Sequence, residues 1–239
     1  IVNIGLRLDY NNANTHWQFL EPFSKEWKEY NSTLFDPDSN YSSQLANDQL
    51  SLSPRLAISH PISSTSKLFF NYGHFKQLPT YEQMFRLGRN TGGAMRNYGN
   101  PELQMAQTIS YELGYDKSFK DEYLLQLAGY YHDIVHQLEF TTFYSADGSV
   151  IFDLANNNSY EDIRGFELTM RRSRGKWWSG FFNYTYQVKS AGRFGKSQIY
   201  ENPSDQREYD KNTRELYQWK PIPQPFARAS LTFFTPNNY

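Results

Sequence analysis

The sequence predicts an all-β protein, built as an antiparallel up-and-down β-barrel segment of about eight strands that crosses a membrane. Two observations predict it. Eight stretches alternate apolar and polar residues, as strands do when one face is apolar and the other polar. The links between these stretches are alternately short and long. Because neighbouring strands of a meander run in opposite directions, all the long links lie at one end, as in outer-membrane barrels.

The first stretch shows the alternation most simply. Its apolar residues fall on one face of a strand: Val2, Ile4, Leu6, Leu8 and Tyr10. The residues between them, such as Asn3 and Arg7, fall on the other face. In a membrane barrel the apolar face contacts lipid and the polar face lines the lumen.

Seven further stretches repeat this pattern, and most are long enough to cross a bilayer when tilted. The predicted strands are 1–10, 52–60, 67–78, 107–119, 122–140, 162–172, 176–188 and 225–235. Their apolar faces are marked in order by Leu56 and Ile58; Leu68, Phe70 and Tyr72; Ile109, Tyr111, Leu113 and Tyr115; Tyr123, Leu125, Leu127 and Tyr131; Phe166, Leu168 and Met170; Trp178, Phe182, Tyr184 and Tyr186; and Ala227, Ala229, Leu231 and Phe233.

The links divide into two classes. Short polar turns are predicted at 61–66, 120–121 and 174–175. Long external loops are predicted at 11–51, 79–106, 141–160 and 188–224. Residues 81–87 suit a short helix, and 146–149 suit a hairpin turn that lets the flanking strands extend past the rim of the barrel.

Composition narrows the function classes. The chain has no cysteine, so disulfides and thiolate metal sites are excluded, and a net charge of −1 gives no electrostatic case for nucleic acid. The absence of a long apolar run excludes a transmembrane helix. Aromatic residues make up 18% of the chain, which suits either interfacial girdles or glycan-binding surfaces. Trp177 and Trp178, beside a short turn, suit the periplasmic girdle.

Several short segments match, in order and spacing, strand sequences of one family. They lie at 53–56, at 70–75 with Gln77, Pro79 and Tyr81, at 99–103 with Thr108 and 111–115, and at 130–134, 164–168 and 183–186. Together they resemble the TonB-dependent outer-membrane receptors, especially the group that carries a carboxypeptidase-regulatory-like domain. Two departures, at 104–106 and 224–228, leave the subgroup open.

The resemblance implies a barrel of about twenty-two strands, of which this chain would be about a third. It implies a place in the Gram-negative outer membrane and ligand uptake energised through TonB. The implied partners are outer-membrane lipid, a plug domain lying outside this chain, the TonB complex reached through an N-terminal part not present here, and a small ligand, either a siderophore, a glycan or a peptide. No cofactor is expected.

Two groups of residues are candidates for ligand or plug contacts. In the external loops, aromatic rings suit stacking on a ligand and arginines suit an anionic ligand: Trp17, Trp27, Tyr41, Arg86, Arg89, Arg96 and Tyr98. The same rings could instead pack the loop, and the same arginines could form salt bridges in a solvated loop. On the polar strand faces, four charged residues suit contacts with the plug: Arg7, Glu112, Glu167 and Arg171.

Metal binding and catalysis have little support. Asp36, Asp38 and Asn40 have calcium-loop spacing, but the glycine and the final glutamate of such a loop are replaced, so chance spacing is the better account. His132 and His136, with His74, are better explained as ordinary lumen or girdle residues. No nucleophile elbow or phosphate loop occurs, so no enzyme is predicted.

Three alternatives stay open at this point. The chain could be a complete eight-stranded barrel with an adhesin or structural role, since eight strands is the smallest closed size. It could be a barrel enzyme such as a lipase. It could also be a soluble β-rich protein that binds glycans through its aromatic residues.

Overall fold

One continuous sheet dominates the structure, a computed structural model that describes residues 1–18, 21–24, 43–91, 95–173, 175–213 and 218–235. In chain order its elements are β1 (Val2–Asn11), β2 (His16–Gln18), β3 (Ser43–Leu45), β4 (Gln49–Ser63), β5 (Ser66–Gln77), α1 (Tyr81–Phe85), β6 (Leu87–Arg89), β7 (Met95–Tyr98), β8 (Ala106–Phe119), β9 (Tyr123–Tyr144), β10 (Ile151–Arg172), β11 (Trp178–Arg193), β12 (Gln198–Tyr200), α2 (Pro203–Asn212) and β13 (Phe226–Phe233).

Eight long strands form an antiparallel meander in the order β1-β4-β5-β8-β9-β10-β11-β13, which is also their order along the chain. The predicted fold class is therefore confirmed. The sheet is open in this chain, because among the described residues β1 and β13 each pair on one side only. Neither helix of the described residues is long and apolar enough to span a bilayer.

The strand registers place the apolar residues of all eight strands on one face. Directly opposed residues of neighbouring antiparallel strands point to the same side of a sheet. One row of opposed residues crosses seven strands: Ile4, Leu56, Tyr72, Tyr111, Tyr131, Arg164 and Val188. Ile4 is 82% exposed and Tyr111 41% exposed, so these apolar side chains face the surroundings of the sheet and not a protein core.

An aromatic belt closes this apolar face at the end that carries the short turns. The ring of Phe119 stacks on Tyr123 at 5.0 Å, and Tyr123 meets Trp178 edge-on at 6.3 Å. The guanidinium of Arg172 lies 4.5 Å from the centre of the Trp178 ring and forms a 2.6 Å ion pair with Glu122. Aromatic rings and arginine in this combination are typical of a membrane–water interface.

The predicted loop at 141–160 is wrong in its extent. β9 runs to Tyr144 and β10 starts at Ile151, so the two strands form a long hairpin closed by residues 145–150. The pairing shifts register near Ser159, where His136 adopts a positive φ of 57°. The predicted loop at 188–224 also begins later, because β11 continues to Arg193.

The buried core lies beyond the apolar band, at the long-loop end. It consists of Met95, Tyr98, Phe143, Val150 and Phe152. Segments from two long links pack against the β9–β10 hairpin, since β7 pairs in parallel with β10 and β12 pairs in parallel with β9. We call α1, β6, β7, β12, α2 and the outer halves of β9 and β10 the loop assembly.

Candidate functional site

The polar face of the sheet carries a network of side-chain contacts. Asn71 donates to Glu112 at 2.9 Å, and Tyr130 donates to Gln187 at 3.2 Å. These four residues lie in one row of opposed positions across β5, β8, β9 and β11, with Gly165 of β10 between the last two. The row forms a polar surface on the side of the sheet that a barrel encloses.

Ion pairs extend this polar face towards both ends of the strands. Lys67 pairs with Asp116 at 3.1 Å, and Asp116 also accepts a hydrogen bond from Gln126 at 3.2 Å. Near the loop assembly, Lys189 pairs with Glu161 at 2.6 Å. The face therefore offers both signs of charge to whatever lies against it.

Residues 99–103 tie the link before β8 to the outer half of β10. The side chain of Asn100 donates to the carbonyl of Ala155 at 3.0 Å and accepts from the backbone N–H of Glu102 at 2.8 Å. Pro101 and Leu103 are fully buried. A Cβ atom on Gly99 would lie 2.7 Å from the carbonyl oxygen of Met84, so this close approach admits only glycine.

The same segment also contacts two other parts of the chain. Glu102 accepts hydrogen bonds from the backbone and the side chain of Asn47, at 2.9 and 3.0 Å. The backbone of Gln104 exchanges two hydrogen bonds with the side chain of Asn157, at 2.7 and 3.0 Å. Residues 99–104 therefore join the link before β8 to the segment before β4 and to the outer half of β10, and we call them the loop latch.

A cavity of about 690 Å³ lies between the loop latch and the outer ends of β5, β8 and β9. Its polar lining consists mainly of amides and hydroxyls, with one ammonium group, one acid and one imidazole among them: Lys76, Gln77, Gln83, Gln104, Thr108, His136, Gln137, Glu139, Asn157 and Ser159. Side chains of this kind donate and accept hydrogen bonds in equal measure, so the cavity suits a polar ligand of low net charge.

The segment of β12 and α2 docks on the other edge of the hairpin. Tyr200 stacks on Tyr144 at 4.7 Å, and Tyr209 hydrogen bonds with Ser197 at 2.6 Å. Burial, with a smaller effect of Tyr144, raises the pKa of Tyr200. These contacts fix the segment against the outer end of β9.

The predicted loop arginines mostly contact the protein itself. Arg86 pairs with Glu82 at 2.9 Å, one turn away on α1, and Arg96 lies 3.7 Å from Asp153 of β10. Arg89 is exposed in β6. Arg89 and Arg96 belong to the loop assembly and Arg86 directly follows α1, and all three side chains retain substantial exposure.

The predicted loop aromatics have different positions. Tyr98 is 2% exposed and packs in the buried core, so this residue packs the loop assembly and offers no surface to a ligand. Trp17 lies in β2, opposite Gln44 of β3. Trp27 and Tyr41, together with the calcium-like spacing at 36–40, lie outside the described residues.

The four predicted plug-facing residues lie on the polar face. Arg7 pairs with Asp9 at 2.7 Å, and Glu112 accepts from Asn71. Glu167 opposes Ala128 of β9, and Arg171 opposes Leu124 on the same strand. The registers thus place all four on the side opposite the apolar band.

The histidines do not form a metal site in the described part of the chain, which holds no group of three potential ligands. His74 contacts Tyr72 at 2.6 Å, and His132 stacks on Tyr130 at 5.2 Å. The buried Nδ1 of His132 has no hydrogen-bond partner among the described residues.

The sequence did not predict the core of the loop assembly or the loop latch. Phe143 and Phe152 stack at 5.0 Å in its core, although both fall in a predicted loop. Segment 99–103 served only as a family signature, yet its Asn-Pro dipeptide is a turn signal that indicates an ordered loop. Interpreted as a turn signal, that dipeptide would have indicated the latch.

Asn100→Ala should loosen the loop latch by about 1–3 kcal/mol, because it leaves the Ala155 carbonyl and the Glu102 N–H without their partner. We expect faster amide exchange in 79–105 and unchanged exchange in β1. Asn3→Ala, at an exposed position of β1, is the matched control. Equal amide exchange rates in 79–105 of the two variants would show that the loop latch does not hold the link between β5 and β8.

Comparison with known proteins gives one family match and several similar structures. The model of the family described as TonB dependent receptor-like, beta-barrel, matches residues 1–239. No curated protein matches the chain significantly.

Three similar solved structures have low sequence identity to this chain. A double mutant of the Serratia marcescens hemophore receptor HasR, in complex with its hemophore HasA and heme, is 15% identical, with 82% of this chain and 30% of that chain covered and a TM-score of 0.47. The copper transporter OprC is 15% identical, with 81% and 30% covered and a TM-score of 0.49. The R480A mutant of the Pseudomonas aeruginosa ferric enterobactin receptor PfeA, in complex with enterobactin, is 13% identical, with 83% and 35% covered and a TM-score of 0.46. The chain spans about a third of the length of these structures.

Proposed function

Because the chain belongs to the family of TonB-dependent receptor β-barrels, which lie in the Gram-negative outer membrane, we propose that it takes up a ligand with energy supplied through TonB. In this proposal the chain is one part of a single barrel domain. The plug domain and the segment that contacts TonB belong to other parts of the protein.

The observation that carries the proposal is a sheet with two unlike faces, combined with the family match over the whole chain. One face is apolar across eight strands and ends in an aromatic belt, as a lipid-facing surface requires. The other face is polar and carries both signs of charge. A soluble glycan-binding protein would not leave so continuous an apolar face exposed.

Each face has a proposed role. On the polar face, Arg7, Glu112, Glu167 and Arg171 hold the plug or line the ligand path. At the external end, the amide-lined cavity and the exposed arginines Arg86, Arg89 and Arg96 contact the ligand, and Trp17, Trp27 and Tyr41 add stacking surfaces. The barrel performs no bond chemistry, in keeping with a family of receptors and transporters.

Uptake measurements test the proposal. Cells with and without the gene, and cells without TonB, would receive labelled ferric enterobactin, maltoheptaose or a tetrapeptide as probes for the three ligand classes. We expect uptake of one probe to require both the gene and TonB. If uptake of that probe persists in cells without TonB, the result contradicts a mechanism energised through TonB. If deletion of the gene changes the uptake of none of the three probes, the result contradicts uptake of siderophores, glycans and peptides.

A further inference from the structure

The amide-lined cavity lies on the polar face of the sheet, at its external end. Thr108 in its lining is four residues from Glu112 on β8 and therefore points to the same face. Phe75 and Ile134 oppose Thr108 on either side, so β5, β8 and β9 form the floor of the cavity. A ligand in the cavity would therefore contact the surface that a barrel encloses.

Two parts of the link between β5 and β8 form the wall of the cavity on its external side. Gln83 comes from the start of the link, and Gln104 comes from the loop latch. The side chain of Gln83 accepts from the N–H of Thr80 at 2.8 Å, as part of the capping box of α1. The backbone of Gln104 is bonded to Asn157 at 2.7 and 3.0 Å. Contacts within the protein therefore hold the wall in place, which lowers the entropic cost of binding a ligand.

Three carboxamides of the lining are available to a ligand. The side chains of Gln77, Gln104 and Gln137 make no hydrogen bond with the described residues. Because they come from β5, the loop latch and β9, they line different sides of the cavity. Gln77 and Gln104 are exposed, and Gln137 is half-buried. Each carboxamide offers two N–H donors and one acceptor oxygen, a combination that matches neighbouring hydroxyl groups.

The two groups of opposite charge in the lining are engaged elsewhere. The carboxylate of Glu139 lies 3.3 Å from the guanidinium of Arg193. Lys76 is four residues from Tyr72 of the apolar row, so it points to the other face of the sheet, where it donates to Gln107. A ferric catecholate or another polyanion would need unpaired cations, and the two termini of a short peptide would need partners of both charges. Apart from one imidazole, the described lining offers neither.

We propose that this cavity binds a neutral oligosaccharide, an inference that rests on the proposed function of ligand uptake. Sugar hydroxyls both donate and accept hydrogen bonds, so the three carboxamides can each bind a pair of them. The apolar faces of sugar rings can pack on Phe75, which is 44% exposed and whose ring centre lies 4.8 Å from the Arg55 guanidinium. The volume of about 690 Å³ is in the usual range of ligand sites and accommodates a short oligosaccharide segment.

Binding to the detergent-purified protein tests this assignment. The probes are the neutral sugars maltoheptaose, xylohexaose and mannohexaose at millimolar concentration, with ferric enterobactin and tetra-alanine as charged comparators. Isothermal titration calorimetry measures each Kd. We expect at least one sugar to bind and neither comparator to displace it. Gln77→Ala and Gln137→Ala should each weaken that binding about fivefold, the effect of one lost hydrogen bond. Ala106→Phe, which fills the cavity, should abolish it.

Two controls carry the same changes elsewhere on the polar face. Gln126→Ala is nearer the other end of β9, and Ala57→Phe is on β4 between Asn3 and Asn71, away from the cavity. Both variants should bind the sugar as the parent does.

Three results would overturn the assignment: no sugar binds, all variants bind the sugar equally, or a charged comparator displaces it. Binding is measured without TonB, so its failure is distinguishable from that of the proposed function. Loss of uptake with sugar binding retained would contradict only the energised uptake. TonB-dependent uptake of ferric enterobactin without sugar binding would contradict only the sugar assignment.

Discussion

Leu127→Arg should lower the free energy of unfolding by about 2–4 kcal/mol, which is the cost of a charge on the lipid face near the bilayer midplane. Leu127 lies midway along β9 between Tyr123 of the aromatic belt and Tyr131, and it is 45% exposed on the apolar face. Urea unfolding of the protein in lipid bilayers, followed by tryptophan fluorescence, measures the change.

Gln126→Arg is the matched control, since it introduces the same side chain one residue away. Gln126 points to the polar face and bonds to Asp116, a carboxylate that can also pair with arginine. We expect a change below about 1 kcal/mol for this variant. Equal losses at 126 and 127 would contradict the assignment of the two faces.

Phe152→Ala should destabilise the loop assembly by about 3–5 kcal/mol, the range for removing a buried ring. Phe152 is 1% exposed and stacks on Phe143 in the core. Because that core lies outside the apolar band, the effect should be local. Hydrogen exchange should accelerate in β7 and in the outer halves of β9 and β10, while the inner halves of the long strands keep their protection.

Phe140→Ala serves as the comparison for this prediction. Phe140 lies on β9 only three residues from Phe143, but it is 43% exposed. We expect its removal to leave exchange in β7 nearly unchanged. Similar acceleration in both variants would show that the external segments do not depend on the core around Phe152.

The membrane-spanning part of the sheet was predictable because lipid on one side and a polar lumen on the other impose a strict period of two. The strand predicted at 107–119, for example, is observed as Ala106–Phe119. The pattern fails in the outer hairpin, where register shifts near Ser159 break the alternation and loop segments cover the strands. Phe143 and Phe152 therefore resembled loop residues, although they form a core.

The candidate site was predictable only in part, because contacts between distant links leave no periodic signal. The faces of Glu112 and Glu167 follow from alternation within their own strands. The salt bridge of Arg96 with Asp153 and the burial of Tyr98 depend instead on the pairing of β7 with β10. In that pairing Asn97 lies opposite Asp153, fifty-six residues away along the chain. A local sequence pattern cannot encode such a pairing.

The most direct test of the account is to measure which face of β9 contacts lipid. The chain has no cysteine, so single cysteines at 124–131 can each carry a spin label without removing a native thiol. In bilayers, we predict that odd positions are accessible to oxygen and even positions to a water-soluble nickel chelate. Two results would contradict a sheet that spans the outer membrane with its apolar face towards lipid. One is an accessibility that does not alternate between odd and even positions, and the other is an alternation in which even positions are accessible to oxygen.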